Sequence, residues 1–586
     1  MKPETTKQPT FKKLTPFDRK FVDDSGVFTY IGSGSIGGKG QGLAFMKETL
    51  ASRIEAESFP GIRVNIPTLT VLTTDIFDNF MHQNHLYDMA LSDLRDDQIA
   101  LAFLKAELPP DIVGDLRSLS MATHSPLAIR SSSLFEDAMH EPFAGVYGTK
   151  MIPNNQFDPD ARFRALLDAI KFVYASTYFQ EAKEYIATTG ESPENEKMAV
   201  IIQEVVGHRF GNRFYPQISG VARSYNFYRM GGARPEDGIV SLALGLGKTV
   251  VDGGKTWNYS PANPRALPPY NDLRDMLKAT QIEYWAVNMG KPPEYDPIRE
   301  TEYLITGNLE EAEKEGTLDF VVSTFDIENE RLLLGMGKNG PRVLTFAPIL
   351  EIGDIPLNAL LQKLLEICEE TTGHHVEIEF AMTLAPESGL PARFGFLQVR
   401  PMFVSRNKIV VKPEELEGPN SVIASEDVLG NGMMGNIRDI VYLKTSSFDQ
   451  KESRLIAREF ERINHRLAAE GKPYLLIVYG RLGTSDPPHG IPVGWWQVSG
   501  AKVIVEIAMP GTSTELSQGS HFFHNVISSQ VGYFSISRSS KYEVKWDWLN
   551  DQGISEESTY VRHVKLESPL TVKIDGTAGR GVISHG

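Results

Sequence analysis

Short β-rich runs alternate with segments of helical apolar spacing over roughly the first four hundred residues, and this alternation constrains the fold more than any other sequence feature. In one helical segment, Leu43, Met46 and Leu50 fall on a single face. The β-rich runs are residues 27–31, 64–74, 126–130, 198–206, 218–222, 376–382 and 394–399. The pattern therefore predicts a mixed α/β (α+β) architecture for this part of the chain.

A polar stretch near residues 405–420, which contains two prolines and a glycine, is typical of a connection between domains. The chain has 586 residues, which is too long for one compact domain. We expect one domain at residues 20–407 and a second, smaller α/β domain at residues 420–586. In the second, the sequence predicts a helix at 446–471, strands at 474–479 and 502–508, and a loosely ordered end from Gly576.

The overall charge limits the classes of partner. A net charge of −16 and a pI near 5.4 argue against binding to nucleic acid or to anionic membranes, which reward clustered Lys and Arg. No apolar stretch approaches the ~18 residues that a membrane span needs. The single cysteine, Cys368, is predicted to be a small buried hydrophobe, and it excludes a disulfide framework within the chain. We expect a soluble cytoplasmic protein that holds anionic ligands at local sites.

A glycine cluster at residues 32–40 precedes the first helical segment. Its uncrowded backbone amides could bind phosphate at a helix N-terminus, and Lys39 would add a mobile positive charge. A Walker A loop is excluded, because Ser33 and Gly40 stand where that motif needs glycine and Ser or Thr.

Two other interpretations of the cluster stay open. Gly32, Gly34 and Gly37 satisfy the dinucleotide-binding fingerprint, although no acidic residue stands at a convincing ribose-binding position before Asp75. The cluster is also compatible with a flexible surface turn that carries a solvated lysine.

A second candidate phosphate site follows the strand at residues 126–130. Arg130 would end this strand as a rigid fork of donors for phosphate oxygens, and residues 131–133 would form a polar serine turn. The alternative is a structural ion pair of Arg130 with Glu136 or Asp137. The small-residue loop 143–149 could close over a nucleotide or form an ordinary connection.

Taken in order, these segments resemble the ATP-grasp nucleotide-binding domain of pyruvate phosphate dikinase and phosphoenolpyruvate synthase. The resemblance spans residues 28 to 403 or so. The similar segments are the Gly-Gly-Lys-Gly at 37–40, the strand and turn at 66–77, the Arg-Ser segment with its acidic pair at 128–137, the loop 143–149, the strands at 200–206 and 219–222, the glycine turn 245–247, and the paired strands at 377–380 and 397–401.

The resemblance implies a role for each matching residue. Lys39 and Arg130 would bind phosphates, as would the loop that carries Gly145 and Thr149, and Arg400 would stabilise charge on the transferring group. The adenine pocket would be lined by Gln203, Glu204 and Val206. Magnesium would be held by Glu379 and Gln398, which suits a hard cation that prefers oxygen ligands. Without the resemblance, Glu377 and Glu379 would be expected on a solvated strand face.

The C-terminal part departs from the family pattern. Such dikinases pass phosphate to a histidine on a swivelling domain and then to a substrate in a barrel domain, and the residues from 420 onward are too few for a (β/α)₈ barrel. The nearest substitute for the phosphohistidine is His521, after Gly519 and Ser520, with a packing histidine as the alternative. His489 is predicted to be a turn residue, and Arg481 could bind an anion or form a structural turn.

Three hypotheses about function follow. The first is a dikinase-type phosphotransferase that binds Mg²⁺ and ATP and passes phosphate to a histidine or an unknown acceptor. The second is a non-catalytic ATP-binding sensor or assembly module. The third, a nicotinamide dehydrogenase, rests on the glycine cluster alone. Whether the chain forms a homo-oligomer or binds a separate partner protein stays open.

Overall fold

The computed structural model describes residues 14–19, 27–55, 57–134, 136, 145–189, 191–227, 233–266, 273–337, 339–353, 355–384, 391–402, 404, 409–444, 450–483, 490–508, 521–537 and 540–586. Within them, helices and strands are interspersed along the whole chain. The expected mixed α/β architecture is thereby confirmed. No helix of these residues is long and apolar enough to cross a bilayer.

The strands before residue 403 build four sheets. In chain order they are β1 (Thr15–Pro16), β2 (Phe28–Ile31), β3 (Ile62–Asn65), β4 (Leu69–Leu72), β5 (Leu127–Ser133), β6 (Thr149–Ile152), β7 (Met198–Glu204), β8 (His208–Phe210), β9 (Arg213–Tyr215), β10 (Ile218–Arg223), β11 (Ile239–Ala243), β12 (Trp257–Tyr259), β13 (Glu283–Asn288), β14 (Leu304–Asn308), β15 (Val322–Asp326), β16 (Arg331–Leu334), β17 (Arg342–Leu344), β18 (His375–Thr383) and β19 (Ala392–Met402).

The strands after residue 420 build one large sheet and one small one. They are β20 (Ser421–Ser425), β21 (Asp427–Leu429), β22 (Asn431–Leu443), β23 (Tyr474–Tyr479), β24 (Arg481–Leu482), β25 (Gly490–Ile491), β26 (Ala501–Ile507), β27 (Gly532–Ile536), β28 (Ile554–Glu557), β29 (Val561–Asp575) and β30 (Arg580–Ser584).

The α-helices are distributed over the same parts of the chain. They are α1 (Gly37–Arg53), α2 (Thr74–Gln83), α3 (Tyr87–Ala90), α4 (Asp96–Lys105), α5 (Pro110–Ala122), α6 (Pro159–Ser176), α7 (Gln180–Thr189), α8 (Lys248–Val251), α9 (Leu273–Ala279), α10 (Leu309–Lys314), α11 (Leu357–Thr372), α12 (Pro413–Leu416), α13 (Ser453–Ala469), α14 (His521–Ser528) and α15 (Trp546–Asn550). Short 3₁₀ turns lie at Pro193–Asn195, Pro235–Asp237, Gln450–Glu452 and Trp495–Val498, and a π-helical turn lies at Pro348–Ile352.

Two six-stranded sheets carry the residues of interest. The first has the order β1-β2-β4-β7-β5-β6, and the second has the order β12-β11-β10-β18-β19-β3. Smaller sheets, β14-β13-β9-β8 and β16-β15-β17, complete this half of the molecule. In the C-terminal region, residues 421–586, a nine-stranded sheet runs β20-β30-β29-β22-β23-β26-β27-β21, with β28 paired to β29. Its central pairs β22/β23, β23/β26 and β26/β27 are parallel.

The hydrophobic core does not stop at the start of the C-terminal region. One cluster contains Phe77 and Tyr174 from the first half together with Trp495 and Phe523 from the C-terminal region. A second cluster packs α1 and α11 against the second six-stranded sheet and contains Cys368, which is buried as expected. Burial raises the pKa of the Cys368 thiol to about 12.

The structure corrects or refines four local predictions. Residues 131–133 are not a turn but continue β5, because they pair with β7 and their hydroxyls are buried. Within the helix expected at 446–471, the α-helix begins at Ser453 after a 3₁₀ turn at Gln450–Glu452, and residues 446–449 lie outside the described residues. The run 64–74 is divided into β3 and β4, which lie in different sheets, with Pro67 between them. The end after Gly576 forms β30, which is held between β20 and β29.

Candidate functional site

A single cavity is bounded by both six-stranded sheets, by α1 and α8, and by α14 of the C-terminal region. Its wall includes every residue to which the family resemblance assigned a role, together with the candidate acceptor histidine: Lys39, Arg130, Gly145, Thr149, Gln203, Glu204, Val206, Glu379, Gln398, Arg400 and His521. Residues that are remote in the sequence therefore meet around one space. Asp137, loop residues 143–144, Gly519, Ser520 and His489 lie outside the described residues.

The glycine cluster acts as a packing surface for the serine strand β5. The first turn of α1 begins at Gly37 and includes Lys39, so the helix starts earlier than the sequence suggested. A Cβ atom on Gly37 would lie 1.7 Å from the Ser132 carbonyl oxygen, and one on Gly38 would lie 1.9 Å from that of Glu136. Gly37 also has a positive φ of 70°, which favours glycine. These glycines allow α1 to approach β5 closely.

Lys39 projects from this turn toward the cavity. Its Nζ atom donates to Glu136 Oε1 at 2.6 Å and to Ser131 Oγ at 3.3 Å. Glu136 is itself buried and accepts from Ser131 Oγ and from the Ser133 amide. The suggested ion pair of Glu136 with Arg130 is therefore wrong. Lys39, in the first turn of α1, lies close enough to bind this carboxylate instead.

Arg130 connects the two six-stranded sheets across the cavity. Its guanidinium group donates to Gln203 Oε1 at 3.3 Å, to the Leu397 carbonyl at 3.1 Å and to Gln398 Oε1 at 2.8 Å. It also lies 3.6 Å from Glu379 Oε2. The fork geometry that suits phosphate recognition is thus held in place by neutral and anionic acceptors of the opposite sheet.

A buried row of charges lies on β10, β18 and β19. The two oxygens of Glu377 pair with Arg223 at 2.5 Å and with Arg400 at 2.9 Å, and Arg400 reaches Glu379 at 2.5 Å. Burial alone would raise the pKa of Glu377, but the guanidinium groups of Arg223 and Arg400 outweigh it and lower the pKa to about 2. The expected solvated face for Glu377 is therefore wrong, because this carboxylate is the shared counterion of two arginines.

Glu379 and Gln398 are direct neighbours in the β18/β19 ladder. Their carboxylate and amide oxygens present the donor set that a hard divalent cation prefers. Burial acts to raise the pKa of Glu379, whereas Arg400 and Arg130 lower it below its usual value. The carboxylate is therefore ionised at neutral pH, and the donor chemistry of the pair fits Mg²⁺.

The apolar part of the cavity borders the end of β7. Gln203 is buried, and its Nε2 atom has no hydrogen-bond partner among the described residues although it lines the cavity. Val206 is buried as well, and burial raises the pKa of the Glu204 carboxyl. An unpaired amide donor beside apolar walls is a feature that a polar heterocycle can satisfy.

Gly145 and Thr149 are further residues of the cavity wall, and Gly145 packs against the C-terminal region. A Cβ atom on Gly145 would lie 2.5 Å from ring carbon Cγ of His521. Gly145 also has a φ of 71°, so the close approach and the backbone conformation both require glycine. Thr149 begins β6, and its amide donates to Glu300.

His521 is the first residue of α14 and borders the cavity from the C-terminal region. Burial, and then the positive charge of Arg400, lower the pKa of its imidazole to about 4. The ring is therefore neutral at physiological pH, and one of its nitrogens carries a lone pair. A neutral imidazole beside three cationic side chains is chemically able to act as a nucleophile toward a bound anion.

Sequence reasoning missed three charged residues of the same wall. Lys248 forms an ion pair with Asp252 at 2.7 Å, and Glu300 lies on the same wall. Lys248 directly follows the glycine turn 245–247, so that turn could have indicated from the sequence that Lys248 belongs to the site. Glu300 stands in an irregular segment without any pattern. Arg481, for which a role as anion ligand or turn residue was expected, lies in β24, and its guanidinium group donates to the Gly253 carbonyl.

The fold and cavity together define a mixed α/β protein with a ligand site between two sheets, lined by Lys, Arg, carboxylate and amide groups. A family model described as the pyruvate phosphate dikinase AMP/ATP-binding domain matches residues 33–419. The chain therefore belongs to the family of the pyruvate phosphate dikinase AMP/ATP-binding domain, which confirms the expected family. Membership implies binding of ATP or AMP. None of the curated proteins compared with the chain matches it.

Proposed function

We propose that this protein is an ATP-dependent phosphotransferase of the dikinase type, which binds Mg-ATP in the cavity between the two six-stranded sheets and transfers phosphate to His521. The observation that carries the proposal is that His521, more than a hundred residues beyond the family match, borders the same cavity as Lys39, Arg130 and Arg400. A neutral imidazole and three phosphate-binding cations are the parts that such a transfer requires.

Each residue has a role in this proposal. Lys39 and Arg130 bind the phosphates, and Gln203, Glu204 and Val206 hold the adenine. Arg400 stabilises charge on the transferring group, since the ion pairs with Glu377 and Glu379 fix its guanidinium in place. Gly145 and Thr149 border the phosphates on the side of α14.

Magnesium would be bound by Glu379 and Gln398, whose oxygens are adjacent in the ladder. When bound, it would neutralise phosphate charge and favour departure of the leaving group. The phosphates would then take over the contacts that Arg130 and Arg400 now make with these two side chains.

We assign this site to an ATP-grasp domain at residues 20–407, with residues 420–586 as a second, smaller α/β domain that contributes the acceptor. The paired strands β18 and β19 and the strand pair β5 and β7 support this assignment, since they carry the charged and adenine-facing residues respectively.

The alternative is an ATP sensor without turnover. The ion pairs Lys39–Glu136 and Arg400–Glu379 support it, because each cation already has an anionic partner that a nucleotide would have to replace. In this alternative, ATP would rearrange these pairs and change the contact with α14 without any chemistry.

The two functions differ in what happens to labelled phosphate. Purified protein is incubated with Mg²⁺ and ATP labelled at the β or γ position, and AMP, ADP and protein-bound label are followed. The phosphotransferase predicts acid-labile label that is lost in His521→Ala and kept in the control His374→Ala, since His374 is exposed and lies outside the cavity. ATP binding without label or nucleotide cleavage would support the sensor.

A further inference from the structure

Helix α14 is held on the first half of the molecule by several independent contacts. The His521 ring fills the space that a side chain on Gly145 would need. Two residues along, the Arg223 guanidinium lies 5.0 Å from the centre of the Phe523 ring, and Phe227 packs against the same ring. Tyr185 Oη donates to Asn525 Oδ1 at 3.5 Å. The first five residues of the helix therefore contact the part of the chain that carries the cavity.

Contacts away from α14 fix the C-terminal region in the same position. His465 on α13 lies 3.1 Å from Glu184 on α7, and Arg481 donates to the carbonyl of Gly253, beside α8. Trp495 and Phe522 belong to a hydrophobic cluster that continues into α2, α4 and α6. Moving His521 out of the cavity would expose this shared apolar surface to water, which the hydrophobic effect opposes.

We propose that His521 is a fixed acceptor, which receives phosphate from the nucleotide and passes it on without leaving the cavity, so that the final acceptor is a small molecule. This inference rests on the proposed phosphotransferase function. It adds that the acceptor enters the space that the nucleotide product has vacated, and that it carries a free oxygen nucleophile. A small molecule is inferred because the imidazole borders the cavity and packs against Gly145, so that an acceptor has to enter the cavity to reach it.

Atoms and electrons balance in both phosphoryl transfers, and both transfers take place in the same cavity. In the first, the unprotonated ring nitrogen of His521 attacks phosphorus, the N–P bond forms, and the P–O bond to the nucleotide breaks with its electrons remaining on the nucleotide oxygen. In the second, an oxygen of the small acceptor attacks the same phosphorus and the N–P electrons return to the ring. The proton of an attacking hydroxyl passes to a cavity carboxylate, for which Asp252 and Glu300 are available.

A covalent lock between the two halves tests the proposal. Glu184→Cys and His465→Cys place two thiols at the contact between α7 and α13, outside the cavity, where a short cleavable bis-maleimide joins them. The native Cys368 provides a clean background, because it is buried and its thiol pKa is raised. Each single-cysteine variant treated with the same reagent is the matched control.

Two rates are measured on the locked and unlocked protein: acid-labile labelling of His521 from ATP, and loss of label on addition of unlabelled ADP or AMP, or of hydroxylamine as a small nucleophile. A fixed acceptor predicts that the lock changes both rates by no more than roughly twofold. Label that forms only in the unlocked protein, or that leaves only after the linker is cleaved, would overturn the fixed acceptor.

A second measurement distinguishes the two proposals. If neither form is labelled and His521→Ala behaves like wild type, the phosphotransferase function itself fails, and the fixed acceptor fails with it. If His521 is labelled, hydrogen exchange of residues 521–528 is compared before and after phosphorylation. The fixed acceptor predicts unchanged protection, whereas increased exchange across α14 would show that the helix leaves its site and would contradict the proposal.

Discussion

At the scale of single residues, the site is defined by charged side chains that share partners. Arg130 and Arg400 each contact Glu379, and Arg400 also contacts Glu377. Because buried charges are costly without partners, removal of one member affects the others. The predictions at this scale concern Arg130, His521 and Glu377.

Arg130 is expected to be required for nucleotide affinity. Its fork donates to acceptors on the opposite sheet and is oriented for phosphate. Arg130→Ala should weaken ATP binding by about tenfold or more, since hydrogen bonds to charged groups contribute about 1.5–3 kcal/mol. Arg130→Lys should bind ATP with an affinity between those of the unsubstituted protein and Arg130→Ala, because lysine keeps the charge but lacks the fork of donors. Calorimetric titration checks this, with the exposed Arg234→Ala as control; unchanged affinity in Arg130→Ala would exclude the assigned phosphate site.

The pH dependence of labelling should report the environment of His521. Burial and Arg400 lower the pKa of this imidazole to about 4, so its neutral, nucleophilic form persists well below the usual histidine range. Labelling measured by rapid quench should stay level from neutral pH down to about 5 and fall only near the lowered pKa. A midpoint near the unperturbed value would mean that the ring is solvated during reaction.

The same shift makes stability depend on pH in a defined direction. Between the lowered pKa of the folded state and the ordinary histidine pKa of 6.5, the unfolded chain binds more protons at His521 than the folded chain does. This contribution to the free energy of unfolding is therefore present above pH 6.5 or so and is lost as the pH falls through that window.

Glu377 is expected to matter mainly for stability. It is the buried counterion of Arg223 and Arg400. Glu377→Gln leaves two buried guanidinium groups without this charge and should lower the free energy of unfolding by about 3–5 kcal/mol. The control Glu370→Gln removes a carboxylate from a half-exposed pair with Arg53 and should cost less than about 1 kcal/mol. Equal effects in denaturant titrations would contradict the assigned role of the buried row.

At the scale of elements, the glycine cluster fixes the start of α1 against β5. Gly37 and Gly38 lie so close to carbonyls of residues 132 and 136 that no side chain fits. The cluster therefore determines where Lys39 lies, and the helix start and the serine strand form one unit. The glycine pattern resembles several phosphate-binding motifs, but in this structure its glycines allow the close packing of α1 against residues 132 and 136.

Substitution in α1 should separate packing from helix propensity. Gly38→Ala should force α1 away from β5, displace Lys39 and lower ATP affinity together with stability. Gly42→Ala is the matched control, since its Cβ atom would make only an ordinary contact at 3.6 Å. It should be neutral or stabilise the protein by up to about 1 kcal/mol, as expected for Ala over Gly in a helix. ATP titration and denaturant unfolding check both variants; a harmless Gly38→Ala would disprove the close packing.

At the scale of the whole molecule, we expect the two halves to unfold together, because they share one hydrophobic cluster. Phe523 is buried at their contact. Phe523→Ala should lower the free energy of unfolding by about 3–5 kcal/mol. It should also lower the midpoint temperature of a single cooperative transition. Phe157→Ala, at a fully exposed phenylalanine, should change it by less than about 0.5 kcal/mol. Scanning calorimetry checks this, and two separate transitions in the unsubstituted protein would show that the cluster does not couple the halves.

The sequence by itself determined the mixed α/β class, the position of several of the strands and the family, because apolar periodicity and ordered motifs are local properties of the chain. It also indicated which residue types would bind phosphate. Tertiary structure decided which of them meet. Arg130 and Gln398 are 268 residues apart and yet hydrogen-bonded, and the partner of Glu136 proved to be Lys39.

The placement of His521 is the clearest case of this division. A histidine at the start of a helical pattern was visible in the sequence, but nothing in its surroundings placed it beside a cavity built from residues 39 to 400. The position of His521 beside the cavity results from the packing of α14 against Gly145 and from the shared apolar cluster. Such contacts depend on how whole surfaces fit together, and this information is distributed over many distant residues and is carried by no single motif.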